Sequence, residues 1–103
     1  MGFTKESSGY HKTALSDLQG AWVNLRETVA NNFGFQNSDK LLFHIDEAMS
    51  WESVRNLILM IETLLVVHNI ARQSAPEEIN ELVEIVRESL EEVHSAIAEG
   101  EKL

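Results

Sequence analysis

The sequence predicts an all-α domain of four helices, long, short, long and long, and three observations carry that prediction. Apolar residues recur at alternating steps of three and four, the spacing of a helix with one buried stripe. Cap and breaker residues, chiefly Asn31-Asn32-Phe33-Gly34 and Ala75-Pro76, separate these runs. The chain has 103 residues, 44% apolar and 24% charged, which suits a single domain, residues 1–103, with one modest core.

The first helix is expected over about residues 11–32, after a tail of residues 1–10, with Leu15, Leu18, Trp22, Leu25 and Val29 on its stripe. Gly34 ends it, because glycine takes the left-handed C′ conformation at no steric cost. Asn37 or Ser38 caps a short second helix to about Ala48, with Leu41, Leu42, Ile45 and Met49 as its apolar face. Ser50 then reads as a fresh N-cap, with Met49 and Val54 placed as a hydrophobic staple. A continuous, kinked helix over 38–73 is the alternative.

The third helix, about residues 51–73, places Val54, Leu57, Ile58, Met60, Ile61, Leu64, Leu65 and Val67 on one broad face and Leu59 and Val66 on another. So apolar a helix must be covered on most sides, and a second subunit is the expected cover. The predicted interface is Leu57, Leu59, Met60, Glu62, Val66 and Val67. The fourth helix opens at Ala75-Pro76-Glu77-Glu78, where Pro76 suits N1 and the acids suit the positive helix end. Its narrow stripe is Ile79, Leu82, Val83, Val86, Leu90, Val93 and Ile97; Gly100 ends it, and 101–103 form a tail. Mostly heptad-like steps favour bundle packing at shallow crossing angles.

Composition removes several function classes. The chain has no cysteine, so disulfides, thiolate zinc sites and thiol nucleophiles are excluded. The longest apolar stretch, Leu57 to Val67, is 11 residues and includes Glu62 and Thr63. A membrane span needs about 20. The N-terminus has no apolar leader segment, and Glu6 stands where a myristoylation signal wants Ser or Thr, so the expected location is the cytoplasm. Residues 77–102 carry nine acids and two bases, −7 of a net charge of −9. Nucleic-acid binding needs clustered Lys and Arg, so neither DNA nor an anionic membrane is an expected partner.

Three patterns touch on chemistry. Glu91-x-x-His94 puts two potential metal ligands on one helix face, as in diiron carboxylate bundles, and Glu62 is the inward glutamate that could join them. The bundle needs a second such pair, and His44-x-x-Glu47 has the reverse order. Arg87 and His94 are separated by six residues. That spacing resembles the R-x(4–6)-H signature of HEPN-type ribonucleases, small helical proteins whose active site forms across a dimer interface. The resemblance covers these two residues, and Glu88 follows Arg87 where that family often has a short polar residue. It implies His94 as general acid or base and Arg87 as the stabiliser of a pentavalent phosphate. Against it, Glu84, Glu88, Glu91 and Glu92 would repel an RNA backbone, and a surface pair between Arg87 and Glu84 or Glu91 is the simpler role. Glu77-Glu78-x-x-Glu81 resembles half of the magnesium site of all-α nucleotide pyrophosphohydrolases, but the partner E-x-x-D is absent. Acids at a helix N-terminus explain it.

Among single residues, Trp22 reads as core and His68 as a core or interface histidine. Glu62 either reaches solvent through a thin polar strip or meets a partner across an interface. Trp51, on the first turn of the third helix, is a candidate contact residue. His11 and His44 have no evident partner set, and no Ser/His/Asp grouping or glycine-rich phosphate loop is present. These readings converge on a non-catalytic interaction protein, without cofactor, homodimeric through the third helix. Trp51, Glu81, Glu84 and Glu88 would contact a basic partner, as an inhibitor or immunity protein does. The paired-tyrosine element of colicin-type immunity proteins is missing, since Tyr10 is the only tyrosine.

Overall fold

A computed structural model describes the backbone of residues 6–98 and the side chains of residues 14–98. The described chain is all-helical: α1 (Glu6–Asn31), α2 (Ser38–Ser53), α3 (Leu57–Ser74) and α4 (Glu77–Ala98). Short connections force neighbouring helices to run antiparallel, and cross-helix pairs fix the register. Arg26 pairs with Asp46 and Gln19 with Glu52 between α1 and α2, while His68 lies opposite Glu84 between α3 and α4. α1 packs most extensively on α4 and α2 on α3; α1 meets α2 over less, and α3 meets α4 least. Among the described residues the diagonal pairs do not meet, so the helices stand at the corners of a square. No helix among them is long and apolar enough to cross a membrane.

The predicted stripes supply the core. Leu18, Trp22, Leu25 and Val29 of α1 meet Leu41 and Ile45 of α2, Met60 and Val67 of α3, and Ile79, Val83, Val86 and Val93 of α4, all essentially without exposure. Burying each large aliphatic side chain is worth about 1.5–3 kcal/mol, so this cluster holds the four helices together. Trp22 is core as expected, though its indole N–H has no acceptor among the described residues. An unmatched buried donor costs about 1–3 kcal/mol, which the packing of its rings must exceed.

Several boundaries differ from the sequence reading. α1 begins at Glu6, so residues 6–10 are helix where a tail was expected; polar Glu6, Ser7 and Ser8 and the glycine at position 9 hide that turn from the apolar pattern. The side chain of His11, Gly100 and the 101–103 tail lie outside the described residues. Pro76 stands just ahead of α4, accepting from Ile79 N–H and Asn80 N–H, one position before the predicted N1.

The larger correction concerns the second and third helices. Ser50 is not a cap: α2 runs through it to Ser53, and Trp51 belongs to the last turn of α2 instead of the first turn of α3. The continuous-helix alternative fails too, because the chain breaks at Val54-Arg55-Asn56. There Arg55 adopts φ 61°, Arg55 N–H donates to Glu52 O at 3.0 Å, and Asn56 N–H donates to Trp51 O at 2.9 Å. These two bonds are a Schellman motif with arginine in the position that glycine usually takes. Asn56 then caps α3, its Oδ1 accepting from Leu59 N–H at 3.2 Å.

The turn after α1 follows the expected chemistry, but the start of α2 lacks the side-chain cap expected from Asn37 or Ser38. Gly34 has φ 120°, and its N–H donates to Ser38 Oγ at 3.1 Å, closing the turn into α2. Asn37 precedes α2 but makes no side-chain cap; its Nδ2 instead reaches Ser74 Oγ at 3.3 Å. Asn80 Nδ2 donates to Ala71 O at 2.9 Å, with Ala75 O and Pro76 O at 3.2 and 3.3 Å. One side chain thereby adds a second donor to Ala71 O, which already accepts from Ala75 N–H, and ties the end of α3 to the first turn of α4.

Candidate functional site

Because α3 and α4 meet least, a cleft of about 460 Å³ lies between them. Its apolar floor is Ile61 and Leu64 from α3 with Val83 and Leu90 from α4, and Leu65 of α3 stands at its lip. Its edges carry His68 from α3 and Glu84, Arg87, Glu91 and His94 from α4. The α4 residues recur at steps of three and four, so one flank of the helix presents all of them. All lining residues belong to these two helices, which makes the cleft an open trough.

Carboxylates dominate the electrostatics of this edge. Arg87 Nε and Nη2 both donate to Glu84 Oε1, at 3.1 and 2.9 Å, and Nη1 donates to Glu91 Oε2 at 3.1 Å. The hydrogen bond to Glu84, then the charges of Glu84 and Glu91, push the guanidinium pKa further above its ordinary value. On its other side Glu84 places Oε2 3.5 Å from His68 Nε2, an ion pair only when the ring is protonated. Arg87 therefore already holds two anions where a phosphate would need it, and the simple surface pairing expected from the sequence is what the chain forms.

The other sequence candidates are dispersed. Glu91 and His94 share the cleft, but Glu62 is exposed on α3 and is not part of it. Among the described residues no three His, Asp or Glu side chains gather as a metal would require. Glu81 and Glu84 line a groove with Arg72 and Asn80, Glu84 also borders the cleft, and Glu88 lines a groove between α1 and α4. Trp51 is half-buried in a hollow on α2 with Phe43 and Val54, which are 64% and 66% exposed. The three acids stand at steps of three and four on one flank of α4, while Trp51 lies apart from them on α2.

The expected dimer set divides in the same way. Met60 and Val67 are fully buried by this chain's own helices, so they are core and not available to a second subunit. Leu57 and Leu59 are half-buried, while Glu62 and Val66 are exposed. The most exposed apolar residues of α3 are Ile58 and Leu65, at 71% and 60%, which the sequence reading left off the interface. Their signal was the helical register itself, for Ile58 and Leu65 lie opposite Met60 and Val67. Glu52 was also missed: it is buried, accepts from Gln19 Nε2 at 3.1 Å and lies 3.7 Å from Arg55 Nη1.

Comparison of the chain with protein-family models, with curated proteins and with solved structures finds no match.

Proposed function

We propose that the chain is a non-catalytic protein-interaction domain that pairs with a second copy through the outer face of α3 and binds a basic protein partner. The observation that carries this reading is the exposure of Ile58 and Val66 on a helix that already buries Met60, Leu64 and Val67. Apolar side chains left in water on one helix face gain by association, and none of the other described helices covers these. The α3 face carries little charge to oppose a second copy, for Glu62 and Arg72 are its charged residues. The acidic load of −7 lies instead on residues 77–102, where a cationic partner would be drawn.

The ribonuclease reading draws less support. It asks Arg87 to meet a phosphate while Glu84 and Glu91 occupy its donors, within a helix whose net charge repels one.

Light scattering behind size exclusion tests the pairing. Val66→Asp and Ile58→Asp place a charge on the outer face and should convert a dimer to a monomer with helicity retained. Phe43→Asp, on the outer face of α2, should leave the mass unchanged. Equal effects from all three would remove α3 as the pairing surface.

A further inference from the structure

On α3, Ile58, Glu62 and Val66 follow one another at steps of four, and Ile61, Leu65 and His68 form a second strip turned toward α4. The first strip is the proposed pairing face; the second is one wall of the cleft. The two are neighbours that share an edge at Leu65, so a dimer on the first leaves the trough open. We infer that this trough takes a basic amphipathic helix from the partner, an inference that rests on the interaction reading above and names the partner's chemistry.

The trough has the shape for it. From Val83 to His94 it follows α4 for about 16 Å, roughly three turns of a docked helix. The two walls are antiparallel helices with an apolar floor between them, the arrangement in which one helix lays its apolar face into a groove. Leu64 and Leu90 are buried at its base, while Leu65 projects at its lip, 60% exposed.

Charge selects the occupant. Arg87 binds one oxygen of each flanking carboxylate, Glu84 Oε1 and Glu91 Oε2, and so fixes both groups along the lip. Of the opposite oxygens, Glu84 Oε2 lies 3.5 Å from His68 Nε2 and Glu91 Oε1 stands outside Arg87's contact. Each carboxylate oxygen has a further lone pair for an arriving guanidinium or ammonium. Glu84 and Glu91 are seven residues apart, two turns or about 10.5 Å along the axis, the spacing of two cations at i and i+7 on a docked helix. A second copy fits poorly here, since its own residues 77–102 would bring −7 against an acidic lip. An acidic helix would meet the same repulsion.

The test is fluorescence anisotropy of the full chain with a labelled synthetic peptide of about 18 residues, long enough to be partly helical alone. Leucines occupy one face and arginines flank it at i and i+7. Two controls reverse the arginines to glutamate or scramble the order without changing composition. The basic amphipathic peptide should bind saturably, and Leu65→Asp or Glu84→Gln with Glu91→Gln should each weaken it about tenfold or more. Leu65→Ala serves as a milder variant, with circular dichroism confirming the fold. Phe43→Asp should change nothing. Equal binding of the scrambled peptide, or no binding of the basic one, overturns the inference. So does a loss of binding in Phe43→Asp that Leu65→Asp does not produce, and that outcome leaves the interaction reading standing with its contact on α2. Failure of the pairing reading registers separately, as an unchanged mass in Val66→Asp.

Discussion

Arg87 and Glu84 form a two-pronged contact in which Nε and Nη2 of the guanidinium both donate to Glu84 Oε1, with Glu91 taking Nη1. The arrangement engages three of the five N–H donors of the cation on the surface of α4 with carboxylates, with which a phosphate would have to compete. Purified protein and its His94→Ala variant should therefore leave single-stranded RNA equally intact on a gel. Cleavage by the parent chain that His94→Ala abolishes would reinstate the paired Arg87 and His94 as a catalytic site.

The floor and lip of the cleft should differ sharply in what they contribute to stability. Leu90 is buried in the core cluster, so Leu90→Ala should cost about 2–5 kcal/mol in chemical denaturation. His94 and Glu91 are exposed, and their alanine variants should stay within about 0.5 kcal/mol. Comparable losses from both kinds of change would place the buried face of α4 elsewhere.

Asn80 is the tie between the end of α3 and the start of α4, and its removal should matter more than a half-exposed amide suggests. Asn80→Ala removes this donor from Ala75 O and from Ala71 O, which keeps its bond from Ala75 N–H, a loss of about 0.5–1.5 kcal/mol. Asn80→Asp should be worse, since it sets a carboxylate against those same oxygens. Denaturation midpoints in which Asp is tolerated better than Ala would show that the amide is not the tie.

What the sequence made legible was the part written in local chemistry. The α4 stripe, Pro76 at its start and Gly34 after α1 each announce themselves through periodicity or backbone preference. The break between α2 and α3 does not, because its left-handed residue is Arg55, and Ser50 three residues into a run of helix formers looks like a better cap. Glu52 reads as surface until Gln19 of α1 is placed against it. The site was legible only in pieces: His68, Arg87, Glu91 and His94 each drew notice, yet their meeting depends on the antiparallel register of α3 and α4. Neither helix encodes that register alone, although the two-residue Ala75-Pro76 connection nearly dictates it.

Salt should act in opposite directions on the two associations. Pairing of like chains, each −9, should strengthen as screening rises, while binding of a basic peptide should weaken. Replacing Glu81, Glu84 and Glu88 with glutamine removes three charges among good helix formers, so helicity should survive while the peptide's on-rate falls. Stopped-flow rates that are the same in this variant, with the same salt dependence, would reduce the acidic helix to a solubility feature.

The central claim is that α3 presents an apolar face meant for another protein surface, in the first place a second copy of itself. Sedimentation equilibrium of the unmodified chain across the micromolar range, at low and at high salt, measures this directly. The account predicts a dimer whose dissociation constant tightens as salt rises, with Val66→Asp sedimenting as a monomer under the same conditions. A chain that remains strictly monomeric at the highest concentration and salt would contradict it.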